Sequence, residues 1–120
     1  MGPEEFRKLA RSLPGAEEQE HMDHPDFRVG GKIFATLGYP DESFAMVRLP
    51  LKLQAQLVKE APDIFVPVKG AWGKQGATHV RLKAVKKPKR EKVRKALTMA
   101  WEARAKESRT RVDTQKKRGV

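Results

Sequence analysis

The chain has 120 residues, 26 Lys/Arg against 15 Asp/Glu, a formal net charge of +11, 38% hydrophobic residues and no cysteine. That length suits one domain with one core, and the absence of cysteine excludes disulfides, thiolate nucleophiles and thiolate metal sites. No run approaches the roughly 18 to 20 apolar residues of a membrane span. The opening residues lack the basic region and apolar segment of a signal peptide, so a cytoplasmic protein without a membrane partner is expected.

A first helix is predicted from Gly2 or Pro3 to Leu13. Pro3 suits a first helical turn, Glu4 and Glu5 complement the positive end of the dipole, and Phe6, Leu9, Ala10 and Leu13 form one stripe. Leu13-Pro14-Gly15 stops it. Glu17 to Pro25 is acidic, with a short first strand around Glu18 to Met22 at most. His21, Asp23, His24 and Asp26 have the donor types of a divalent-cation site. Their spacing matches no ligand motif and Pro25 reads as loop, so a surface turn is the better account and no metal is expected.

Phe27 to Leu49 reads as an antiparallel meander. Gly30-Gly31 between two apolar runs is a hairpin signal, since a tight primed turn needs positive φ. Pro40-Asp41-Glu42 marks a second turn. Alternation places Ile33, Ala35 and Leu37 on one face and Phe34 and Thr36 on the other; Ala45, Val47 and Leu49 then oppose Phe44, Met46 and Arg48. Pro50 opens a second helix to about Ala61, anchored by Leu51, Leu53, Leu57 and Val58 and ended by Pro62. Phe65 to Val68 suits an edge strand, because proline is tolerated there. A glycine-rich loop, Lys69 to Ala77, carries Trp72 and Lys74.

Thr78 to Ala84 alternates between Val80, Leu82 and Ala84 on one face and His79, Arg81 and Lys83 on the other. The last helix is predicted from Lys89 to Lys106, along Val93, Leu97, Ala100, Trp101 and Arg104. The chain thus divides into a domain over residues 1–107 and a basic, frayed tail over 108–120. Charge is uneven. Residues 1–85 hold 12 Lys/Arg and 11 Asp/Glu, while residues 86–120 hold 14 and 4. A balanced domain with a basic C-terminal third is the footprint of a polyanion contact.

Leu13-Pro14-Gly15 followed by Glu17-Glu18, then Phe27-Arg28-Val29-Gly30-Gly31-Lys32-Ile33-Phe34-Ala35, a leucine-rich helix, and Gly70-Ala71-Trp72-Gly73 ahead of a strand, resembles the MmcQ/YjbR family. The resemblance covers residues 3 to 105 or so. It departs at the tryptophan that the family places directly before the late strand: Ala77 stands there, and Trp72 lies in the loop. The resemblance implies an α+β domain, an antiparallel sheet with helices on one face in the order α-β(3)-α-β(2)-α, likened to secretion-chaperone and double-wing folds. It implies DNA binding and brings no catalytic residues. Gly15, Gly30, Gly31, Phe34 and Lys32 match it at positions that look structural.

Enzyme readings are weak. Gly73-Lys74-Gln75-Gly76 lacks the first glycine and the Ser/Thr of a Walker loop. Glu17, Glu18 and Glu20 lie near His21 and His24 only along the chain, with no convergence into a pocket. A non-enzymatic protein without a cofactor is expected. The nucleic-acid candidates are Lys74, Arg81, Lys83, Lys86, Lys87, Lys89, Arg90 and Arg94, meeting DNA or RNA phosphates with little sequence preference. Trp72 is a candidate base-stacking residue, although tryptophan packed under a loop is the commoner arrangement. The alternative is a homodimeric or chaperone-like interaction module using an open sheet face, with Phe34, Phe44 and Met46 as its apolar contacts.

Overall fold

The computed structural model describes the backbone of residues 1–21 and 23–118 and the side chains of residues 1–20 and 23–108. Met22, the last residue of the predicted first strand, lies outside them. In chain order the elements are α1 (Pro3–Arg11), β1 (Glu17–His21), β2 (His24–Val29), β3 (Lys32–Leu37), β4 (Phe44–Arg48), α2 (Leu51–Glu60), β5 (Phe65–Pro67), α3 (Ala71–Lys74), β6 (Ala77–Arg81) and α4 (Arg90–Arg118). Two short 3₁₀ turns, Leu82–Ala84 and Lys87–Lys89, join β6 to α4. The six strands form one antiparallel sheet in the order β1-β2-β3-β4-β6-β5.

This is the α+β architecture expected, with one refinement of element order and one of a strand boundary. Four strands precede α2 rather than three, because the acidic stretch before the meander pairs fully with β2. Pro25 belongs to β2 rather than to a loop. It pairs with Glu20 on β1 and precedes the first residue that β3 pairs, so on its β3 side it occupies an edge position.

Cross-strand rows define the two faces. Ala35, Val47 and Thr78 form one buried row, and Leu37, Ala45, Val80 and Phe65 form the next. These rows face the helices. α4 crosses β2, β3 and β4, α1 lies against α4 and β3, and α2 runs along β5. Phe6, Val93, Leu97 and Ala100 complete the core from the helix side. Trp101 Nε1 donates to the Pro14 carbonyl at 2.8 Å, tying α4 to the turn after α1.

Strict alternation fails at Phe34. The register shifts between Phe27 and Arg28: Phe27 opposes Ala35, while Arg28 opposes Ile33. Phe34 is therefore the extra residue of a β-bulge, and it turns into the core beside Ala35 instead of sharing the far face with Thr36. The last strand also differs. β6 stops at Arg81, and Leu82–Ala84 turns, so Leu82 packs inward and Lys83 leaves the row of His79 and Arg81. In α2, Leu51 is 55% exposed, and the anchoring positions are Leu57 and the buried amide of Gln54, with Leu53 and Val58 partly covered. α4 continues as helix to Arg118, past the predicted end at Lys106. The side chains of the expected tail beyond Ser108 lie outside the described residues.

Candidate nucleic-acid interface

The eight cations singled out by sequence are not equivalent in the fold. They divide by whether the fold supplies an acidic partner. Lys89 reaches Asp63 at 3.6 Å, Arg90 reaches Glu5 at 3.1 Å, and Arg94 holds Glu91 at 2.8 Å within α4. The Arg94 hydrogen bonds also hold the Glu91 carboxyl below its ordinary pKa. These three charges are partly spent on the fold itself. Among the described residues, Lys74, Arg81, Lys83, Lys86 and Lys87 have no salt-bridge partner, and all five are exposed.

Four of those five are neighbours along the chain. Arg81 ends β6, Lys83 lies in the first 3₁₀ turn, and Lys86 and Lys87 lead into the second. Leu82 and Val85 are drawn into the core, which leaves Lys83, Lys86 and Lys87 facing water. Leu82 N–H donates to the Ser43 carbonyl at 2.9 Å, so the basic connection rests against the β3–β4 turn. Asp41 in that turn is close enough to Lys83 to be stabilised by it; its pKa is lowered chiefly by hydrogen bonds from the Ser43 hydroxyl and amide. Lys74 stands at the opposite end of β6, on α3.

A feature of the sequence bears directly on this geometry. Residues 64–90 contain eight Lys/Arg and no Asp or Glu. The carboxylate-free stretch begins at β5, ahead of the basic C-terminal third, and is bounded by Asp63 and Glu91. The signal was present as a run-length pattern rather than as a net balance.

Trp72 is the second observation. It is 69% exposed, not packed under its loop. α3 is held by its other side. Gly73 is buried so closely against Val68 that a Cβ there would lie 1.7 Å from the Val68 carbonyl oxygen. The Gln54 amide donates to the Gly73 carbonyl at 2.9 Å. With Gly73 turned inward, Trp72 and Lys74 face water. Arg48 Nη2 donates to the Gln75 side chain at 3.4 Å, adding a half-buried guanidinium next to the same loop.

The acidic and histidine-bearing stretch does not form a cluster among the described residues. Asp26 is buried and takes both guanidinium bonds from Arg28, at 2.9 and 3.1 Å. Asp23 is exposed, and His24 packs edge-on against Tyr39. The side chain of His21 lies outside the described residues. Glu18 is drawn to Arg7 and Arg11 across a shallow depression that Gln19, Glu20 and Pro25 also line.

The uncovered sheet face carries a different chemistry. Thr36, Met46, His79 and Val66 make one cross-strand row, each half-buried by its neighbours. Phe44, opposite Arg81, packs edge-on against His79 with ring centroids 5.5 Å apart. Phe34 is absent from this face, so the apolar contact set expected there reduces to Phe44 and Met46 with Val66.

With this geometry in place, comparison with known families is decisive for one point. The YjbR family model matches residues 11–103, most of the domain. The chain belongs to the YjbR family. The match takes in the Leu13-Pro14-Gly15 turn, the Gly30-Gly31 hairpin and bulge, Trp72, and α4 as far as Ala103. No curated protein and no solved structure matches the chain. Among the described residues no helix is long and apolar enough to cross a membrane.

Proposed function

We propose that this YjbR-family chain is a non-enzymatic nucleic-acid-binding protein that meets DNA or RNA chiefly through phosphate contacts. The observation that carries the reading is the unpartnered set Arg81, Lys83, Lys86 and Lys87, with Lys74, inside a 27-residue stretch free of carboxylates. Cations already matched by an acid gain less from a phosphate than cations facing water. Lys89, Arg90 and Arg94 are therefore secondary in this reading. Exposed cations release condensed counterions when they neutralise phosphates, which yields affinity without sequence preference.

The test is affinity against salt on duplex DNA. About five contacts give a log–log slope near −4 to −5. Replacing Arg81, Lys83, Lys86 and Lys87 together by Gln lowers the magnitude of that slope by roughly 3 to 4. The triple change Lys89→Gln, Arg90→Gln and Arg94→Gln lowers it less. A chain ending at Lys106 measures what the segment beyond adds. No binding at low salt would refute the reading.

A second reading is favoured by the half-buried apolar side chains of Met46, Val66 and Phe44 on the helix-free face, which suit a second copy or a protein partner. It places Met46→Asp, rather than the lysine changes, as the variant that alters assembly mass in sedimentation.

A further inference from the structure

We infer that the preferred ligand is single-stranded nucleic acid, with Trp72 as a stacking platform for an unpaired base. This rests on the nucleic-acid reading above and narrows it. Tryptophan is highly buried on average, and its indole represents a large apolar area to leave in water. Here it is 69% exposed on a four-residue helix whose inward side is closed by Gly73 and the Gln54 amide. The ring is therefore presented by a pinned element, so little ordering is left to be lost on binding.

The surroundings specify what it stacks on. Lys69 and Lys74 flank Trp72, both are exposed, and neither has a salt-bridge partner among the described residues. Arg48 is tied to the same loop through Gln75. From there β6 leads to Arg81, and the turns beyond it carry Lys83, Lys86 and Lys87. The five residues of β6 span roughly 13 to 17 Å at about 3.3 Å each. An aromatic plate at one end and cations at both ends form a track on which a flexible strand can stack one base and lay its phosphates along lysines. A duplex keeps its base faces stacked inside and offers the indole nothing beyond its ends. An apolar protein surface would gain from the indole but not from the flanking lysines.

The test uses the full chain, fluorescence anisotropy, a labelled oligo-dT of about ten nucleotides and a duplex of the same length. The unpaired strand is expected to bind more tightly at equal salt. Trp72→Ala weakens oligo-dT by roughly ten-fold to a hundred-fold, leaves duplex affinity and both salt slopes unchanged, and is largely rescued by Trp72→Phe. In a Trp101→Phe background, where Trp72 is the remaining tryptophan, oligo-dT quenches the emission. If Trp72→Ala binds oligo-dT like the unaltered chain while the four-Gln variant of Arg81, Lys83, Lys86 and Lys87 loses it, the stacking assignment is overturned and the phosphate reading stands. Binding of neither strand overturns both. A change in sedimentation mass with Trp72→Ala, without a change in affinity, overturns the assignment in favour of a self-association contact.

Discussion

Gln54 is the joint between α2, α3 and β6, and its replacement is the sharpest test of how the loop bearing Trp72 is held. Its amide nitrogen lies 2.9 Å from the Gly73 carbonyl, 3.2 Å from the Ala77 carbonyl and 3.1 Å from Thr78 Oγ1, all in the interior. An NH₂ group has two protons, so two full bonds are at stake, worth about 1 kcal/mol net each. Gln54→Ala loses these and about one further methylene of packing, for a cost of about 3 kcal/mol. Gln54→Leu keeps the bulk. The abandoned carbonyls of Gly73 and Ala77 retain bonds from Gly76 and Val68 N–H, so its cost is about 1 to 2 kcal/mol.

Gln54→Glu is the decisive variant. It places a carboxylate, which has no proton to donate, against three oxygen acceptors, and costs more than about 3 kcal/mol at neutral pH. Lowering the pH protonates the acid, restores one donor and recovers part of the loss. The assay is urea unfolding at pH 7 and pH 5. With a slope of about 1 to 3 kcal/mol per molar, a 3 kcal/mol loss moves the midpoint by roughly 1 to 3 M. The expected order of damage at pH 7 is Glu, then Ala, then Leu. A Gln54→Glu chain as stable at pH 7 as the unaltered one would refute the buried amide and the pinned loop it supports.

Two other outcomes follow from the interior and the open face. Phe34→Ala should cost about 3 to 5 kcal/mol in the same unfolding assay, as expected for a fully buried phenyl ring; a loss under about 1 kcal/mol would return Phe34 to the sheet's far face and remove the bulge. Burial, and then the charge of Arg81, hold the His79 pKa below its ordinary 6.5. The unfolded chain therefore takes up that proton first. His79 contributes stability that is complete above about pH 6.5 and declines as the pH falls below it. His79→Phe should flatten the dependence of the unfolding midpoint between about pH 7 and 5, whereas Glu60 and Glu91, whose pKa values are also lowered, act only at more acid pH.

Much of this protein was determined by local sequence. Pro3 with Glu4 and Glu5, the Gly30-Gly31 turn and Pro62 act within a few residues of themselves, so the starts, stops and turns they impose needed no tertiary information. Alternation correctly placed Ala45 and Val47 against the helices for the same reason. Tertiary structure decided what depends on distant partners. The bulge at Phe34 arises from a register between β2 and β3 that no single strand encodes. Leu51 and Trp72 look apolar enough to be core, yet both are exposed, and for Trp72 the reason is the packing of Gly73 against Val68 and Gln54.

The charges show the same division. Sequence counted the cations of the basic third, but the acids that engage Lys89 and Arg90 come from Asp63 and from Glu5, 26 and 85 positions away. Net charge is a sum over the chain. Which cations remain for a phosphate is set by Coulomb attraction over a few ångströms, and only the folded arrangement of α1, the α2–β5 connection and the start of α4 creates those distances.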